Sequence, residues 1–251
     1  MSRLARTASV ALVSHLVFAG LAWITAHGVD AELRGRGVDL LEVDRVLEHL
    51  LREGPLSAPV RVLLAGLVAG LCLTPYFEAA VASAAARASS FREAFRDAVH
   101  LTPASVGLGL LALPIAALVL ALAALAPWAI YALTTDVHDD LRRAWFLGVS
   151  LLPAAFVALA FGVTLDVGRL RIARGHTLRE ALVGGLRAVF SSVLPLYGLT
   201  VALGFVAGCA HAALGRNDDA SSLVAGGVVL LVRPLSRALF MWVAARHRHA
   251  A

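Results

Sequence analysis

Residues 104–133 read ASVGLGLLALPIAALVLALAALAPWAIYAL, an apolar run with no acid and no arginine in it. Roughly 20 apolar residues suffice to cross a bilayer core of about 30 Å, so this segment decides the class of the chain before any motif is sought. In lipid such a run is helical, because an unpaired backbone N–H or C=O has no water to turn to. Outward from it lie five more runs of the same kind, at 8–24, 59–86, 144–167, 189–214 and 221–245.

The whole chain agrees with this segment. Of its 251 residues, 59% are hydrophobic, and the mean hydropathy is +0.80, outside the usual soluble range. The expected fold is all-α: a polytopic integral membrane protein, one membrane domain over 1–251 with six transmembrane helices, internal helical-hairpin repeats and short amphipathic interfacial helices. Pro75, Pro114, Pro127, Pro153, Pro195 and Pro234 fall inside the runs. Membrane helices tolerate such kinks where neighbours satisfy the freed carbonyls. Cys72 and Cys209 lie in apolar helices and read as small core residues rather than as a disulfide.

Charge sets the expected topology. The formal charge is +5, and with no lysine present all the basic side chains are arginine. Arg3, Arg6, Arg87, Arg92, Arg96, Arg169, Arg171, Arg174, Arg179, Arg187, Arg246 and Arg248 flank one side of the spans; Arg142, Arg143 and Arg216 occupy the short loops of the other. Counted by the positive-inside rule, this puts both termini in the cytoplasm of a bacterial inner membrane, and the basic balance reflects topology rather than nucleic acid. Trp23, Trp128 and Trp145 fall near outer helix ends and Trp242 near an inner one, as interfacial anchoring requires. Arg3 and Arg6 before the first run, with Ala26 after it, also fit a signal peptide, but the run is long and no clean A-x-A follows, which favours a retained anchor. In the long first loop, 39–53 reads as an amphipathic helix with Leu40, Val43, Leu47, Leu50 and Leu51 on one face, resting on the bundle or the bilayer. Beyond the lipid bilayer, it is the extramembrane candidate for contact with a membrane-protein partner.

Two stretches repeat. SFREAF (90–95) and TLREAL (177–182) match at an offset of 87 residues, each with a hydroxyl followed three residues later by glutamate, the capping-box spacing. Arg87 and Arg174 share that register. At an offset of 159, TPYFEA (74–79) matches RPLSRA (233–238), aligning Pro75 with Pro234 and Glu78 with Arg237; Asp166 occupies nearly the same place in the middle copy. Three helical hairpins in parallel sense would account for this. LDVGRLR (165–171) running into TLREAL and GLR (185–187) resembles uncharacterised bacterial six-span membrane proteins, a family similar to the membrane domain attached to some glycerophosphodiester phosphodiesterases. The resemblance implies a helical membrane domain with no catalytic residues to carry over. The chain leaves no room for the soluble phosphodiesterase domain, so that activity is not expected.

No catalytic motif is present: HExxH, GxSxG, Walker A and paired CxxC patterns are missing, and no cofactor or metal is expected. GLGLLA (107–112) mimics a dinucleotide fingerprint without its preceding strand and reads as packing. Gly66 with Gly70, and Gly204 with Gly208, are small residues at four-residue spacing that permit close helix approach within the chain or with a membrane-protein partner. Asp136, His138, Asp139 and Asp140, with Asp218 and Asp219, read as solvated acidic loops, and His247 and His249 as part of a basic tail. Ser14 and His15 are adjacent and read as hydrogen-bonded packing.

The intramembrane ions are the remaining chemistry. An arginine at a helix centre costs roughly 2.5–3.5 kcal/mol on insertion scales, so Arg233 and Arg237 call for partners. Glu78 and Asp166 are the acids in the spans, and Arg233 and Arg237, four apart, share a helix face that can meet them. For Asp166 and Arg237 the competing reading is proximity to the interface, with snorkelling. Two functions follow: a non-enzymatic structural or accessory component of an envelope assembly, in which the ions fix helix order, or a small transporter or permease subunit, in which the arginines line a site for an anionic solute.

Overall fold

The computed structural model describes residues 2–38, 57–133, 140–214 and 220–246. Among the described residues there are nine helices and no strand. Helix α1 (Arg3–Arg34) starts at Ser2, whose hydroxyl accepts the Ala5 N–H at 3.2 Å, and outruns the expected 8–24 at both ends. Its last turns are held by the Asp30–Arg34 pair at 3.0 Å, and the chain then turns through Gly37 at φ +76°, a conformation that glycine adopts without strain. Helix α2 (Ala58–Ala86) runs through Pro75 without ending.

The run 104–133 is not one helix. Helix α3 (Phe91–Leu111) carries the capped amphipathic turn straight into the apolar stretch, stops at Ala112, and α4 (Leu113–Leu133) leaves it at 46°. Pro114 is the reason: it has no N–H for the Leu110 carbonyl, and its ring crowds that carbonyl. The expected span 144–167 divides in the same way ahead of Pro153, into α5 (Asp140–Ser150) and α6 (Leu152–Ala173). The span 189–214 begins only at Val193: a short amphipathic helix α7 (Leu178–Val189) ends at Phe190, and α8 (Val193–Leu214), with Pro195 in its first turn, departs at 79°. Helix α9 (Ala220–Arg246) contains Pro234.

Among the described residues three helical segments are long and apolar enough to cross a membrane, Arg3–Arg34, Ala58–Ala86 and Gly148–Ala173, and up to five if each bent pair counts as one span. The chain is therefore a helical protein with the makings of a membrane bundle.

Contacts gather one end of it. The Arg6 guanidinium donates to the Ser89 carbonyl at 2.7 Å, tying the start of α1 to the α2–α3 turn, and Arg174 donates to the Ala245 carbonyl, tying the α6–α7 turn to the end of α9. The packed core lies at this end: Val10 and Ala11 of α1, the alanines from Ala79 to Ala85 on α2, Ala94 and Ala98 of α3, Val163, Val167 and Leu170 of α6, and Phe240, Met241 and Ala244 of α9. Toward the other end the helices show large apolar side chains outward, Leu71, Leu120, Trp23, Trp128 and Trp145 among them. Without water around them, such faces cost nothing when lipid covers them.

Glycines set some of the close approaches. A Cβ on Gly66 would collide with the side chain of Thr25 in α1, and one on Gly185 would strike the Thr164 backbone in α6, which cannot yield as a side chain can. A Cβ on Gly70 would stand at ordinary distance from Leu21, 3.8 Å. A Cβ on Gly107 would come within 3.2 Å of Leu178, so the glycines of 107–112 include one that serves packing. Cys72 and Cys209, expected as small core residues, are both free thiols on exposed helix faces. A small apolar side chain is as well placed against lipid as in a core, so composition alone did not distinguish the two. The 39–53 helix, Asp136, His138, Asp139, Asp218, Asp219, His247 and His249 lie outside the described residues, and nothing of the Gly208 surroundings is described.

Candidate charge cluster and its flanking cavities

Helices α2, α6 and α9 meet one another pairwise at the packed end, and each brings an ionic side chain to the junction. Glu78 sits one turn beyond Pro75 on α2, and Arg237 one turn beyond Pro234 on α9. The residues around them are small where the helices must approach closely: Ala79, Ala80 and Ala82 on α2 and Ala238 on α9 are almost wholly buried.

Arg237 makes a two-pronged contact with Glu78. Its Nη1 donates to Oε1 at 2.6 Å, and its Nη2 donates to Oε2 and also to Asp166 Oδ1, the latter at 2.8 Å. Such fork-on-carboxylate geometry is the strong form of a charged hydrogen bond. Arg169 joins from α6: its Nη1 donates to Glu78 Oε2 and to Asp166 Oδ1, each at 3.3 Å, while its Nε donates to the Ser105 hydroxyl of α3, also at 3.3 Å. Two carboxylates and two guanidiniums thus form a cluster with no formal net charge. The side chains of Asp166, Glu78 and Arg169 are 3%, 11% and 11% exposed, against 34% for Arg237, which therefore forms the open edge. Asp166 Oδ2 is buried with no hydrogen-bond partner among the described residues. Burying charge is costly unless it is paired, and here the pairing is mutual.

Of the residues singled out from sequence, Glu78, Asp166 and Arg237 come together and Arg233 does not. One turn from Arg237, Arg233 is exposed, and no acid pairs with it among the described residues. Its place in the cluster is taken by Arg169, counted from the sequence among the arginines that flank one side of the spans. The signal for Arg169 was available: residues three apart share a helix face, and Asp166 and Arg169 have that spacing. Asp166 is accordingly a member of the cluster and is buried, not at an exposed surface.

Two cavities flank the arginines of α9. One, about 420 Å³, lies toward α1 and α2 and is bordered by Ser14, His15, Phe18, Thr74, Glu78, Arg233 and Arg237. The other, about 520 Å³, lies toward α8 and is bordered by Tyr197, Thr200, Val201, Gly204, Phe205, Arg233, Ser236 and Arg237. The first contains a carboxylate in its wall; the second contains none. His15, read as a packing residue, borders the first cavity, while the Ser14 hydroxyl donates to the Val10 carbonyl at 2.8 Å. Tyr197 went unnoticed in the sequence because it carries no motif. Its ring stands edge-on to Phe240 at 4.9 Å, and its hydroxyl abuts Gly162 of α6, where any larger residue would displace it. Gly204 faces the stem of Arg233, a Cβ there standing 4.0 Å from its Cγ.

No family model, no curated protein and no solved structure matches this chain.

Proposed function

We propose that this chain is a non-enzymatic integral protein of a bacterial inner membrane, an accessory or structural component of an envelope assembly. Its six helical spans would be arranged as three related hairpins, the type of membrane domain that 165–187 resembles. The observation that carries the reading is the closed cluster of Glu78, Asp166, Arg169 and Arg237, because these charges are engaged with one another across three helices. A cluster of this kind fixes which helix faces meet, since any other rotation leaves a charge unpaired in an apolar setting. The packed end, where α1 begins and α9 finishes, faces the cytoplasm in this reading, in keeping with the arginine distribution.

The test is a double-mutant cycle on Glu78→Ala and Arg237→Ala in the bilayer-reconstituted protein, with membrane insertion checked by resistance to alkaline carbonate. A coupling of at least about 1.5 kcal/mol is expected, in the range measured for close charge pairs. Independent, additive losses would remove the structural role, and extraction by carbonate would remove the membrane reading.

A second reading, a small transporter or permease subunit, is favoured by one observation: Arg233 borders two cavities and no described acid answers it.

A further inference from the structure

We infer that the cavity between α8 and α9 is a binding site for a small oxyanion, a phosphate or carboxylate group, held by Arg233 and Tyr197. The inference deepens the permease reading and rests on α9 being embedded in the bilayer.

Arg233 stands at the midpoint of Ala220–Arg246, roughly 20 Å of helix from either end at about 1.5 Å per residue. At that depth an unpaired guanidinium is costly, and an acid, water or a bound anion relieves the cost. Arg237, one turn away, has its acids; Arg233 has none among the described residues, although it shares both cavities with Arg237. The α8-side cavity is the one an anion would choose. Its wall holds Arg233 and Arg237 and, among the described residues, no carboxylate, whereas the α1-side cavity has Glu78 in its wall.

Donors within the α8-side cavity can be counted against what already occupies them. The Ser236 hydroxyl donates to the Arg233 carbonyl at 3.0 Å and the Thr200 hydroxyl to the Tyr197 carbonyl at 2.8 Å, so both protons are engaged. The Tyr197 hydroxyl donates to no described residue, while Phe240 and Gly162 hold its ring in place. A free phenol proton and an unanswered guanidinium, bordering one cavity of about 520 Å³, are the elements of an oxyanion site. Gly204 contributes by leaving the Arg233 stem uncovered.

The oxyanion could be a free solute or the phosphate of an anionic lipid. The experiment titrates inorganic phosphate and acetate, by calorimetry, into the full chain in phosphatidylcholine nanodiscs, and separately measures phosphatidylglycerol retained through purification. Arg233→Gln should weaken binding at least tenfold and Tyr197→Phe about threefold, while the unfolding midpoint of Arg233→Gln stays at the wild-type value because the cluster is untouched. Phosphate or acetate bound in an Arg233-dependent manner supports the site with a free solute. Phosphatidylglycerol retained by the wild type and lost from Arg233→Gln supports it with a lipid phosphate. No binding of any of the three, or equal binding by wild type and Arg233→Gln, overturns it. Flux of the bound anion into proteoliposomes separates the two levels: binding without flux keeps the site and ends the permease reading, and carbonate extraction ends the membrane reading beneath both.

Discussion

Arg233 and Arg237 are the same side chain on the same helix, one turn apart, and the structure treats them in opposite ways. Arg237 forks onto Glu78 and reaches Asp166, at a junction of three helices lined by alanine. Arg233 stands at the wall of two cavities with no described acid in reach. The difference is set by the neighbours rather than by α9: the helices converge at the packed end, where Ala79, Ala80 and Ala238 allow it, and two acids stand opposite Arg237 while no described acid stands opposite Arg233. An arginine answered by two acids is part of what holds the bundle together, whereas one that no described acid answers is available to something else.

The sharpest way to break that contrast is to unfold it. Removing one of the two acids that both cluster arginines share, by Glu78→Ala, is expected to cost about 3–5 kcal/mol, because Arg237 and Arg169 are left with Asp166 alone. Arg233→Ala should stay within about 0.5 kcal/mol of wild type. Chemical unfolding in nanodiscs measures both, and equal losses would show that the two arginines are equivalent after all. Next in size is Arg169→Gln, expected to cost about 2 kcal/mol, since its charged hydrogen bonds to Glu78 and Asp166, at 3.3 Å, are longer than those of Arg237. A loss as large as that of Glu78→Ala would move the centre of the cluster from Arg237 to Arg169.

The capped turns supply smaller effects, away from the cluster. Ser90 and Thr177 both accept the N–H three residues on, at 3.1 and 3.3 Å. Glu180 completes the box by accepting the Thr177 N–H at 2.9 Å, whereas Glu93 accepts the N–H of Ser89, one residue earlier, at 2.7 Å. Thr177→Ala and Ser90→Ala are each expected to cost about 1 kcal/mol, measured as above. These hydrogen bonds to Thr177 and Ser89 hold the Glu180 and Glu93 carboxyls below the ordinary value of 4.5. A depressed carboxylate stabilises the fold above its unfolded-state value and ceases to as pH falls through the folded one. Acidification below about 4.5 should therefore loosen both turns, read by amide exchange at residues 177–181 and 89–94, and Glu180→Gln should remove that dependence from its own turn.

The two units also show where reading from sequence ends. Their capped starts were legible because a cap is a local event: a hydroxyl and a glutamate three residues apart are enough. Their divergence was not. The first unit enters the apolar run as one continuous helix and bends by 46° only at Ala112, while the second breaks at Phe190 and turns by 79°. Both bends lie near proline, yet Pro75, Pro103 and Pro234 remain inside helices, so proline marks where a break is permitted and packing decides whether it occurs. The cluster divides in the same manner. Glu78 and Arg237 were legible from their aligned positions and opposite charge, and Arg169 could have been read from its spacing to Asp166. Tyr197 could not, because what distinguishes it is Gly162 and Phe240 on other helices.

Sequence by itself determined the helical, membrane-compatible class, the positions of the capped turns and the presence of ions that require partners. These are matters of hydropathy, local hydrogen bonding and the cost of charge in an apolar medium, all properties of residues close together in the chain. Which arginine each acid meets, where a proline becomes a break, and which arginine is left facing a cavity were decided only in three dimensions. Those outcomes depend on the distance between helices, and that distance is fixed by alanines and glycines whose partners lie far away in sequence.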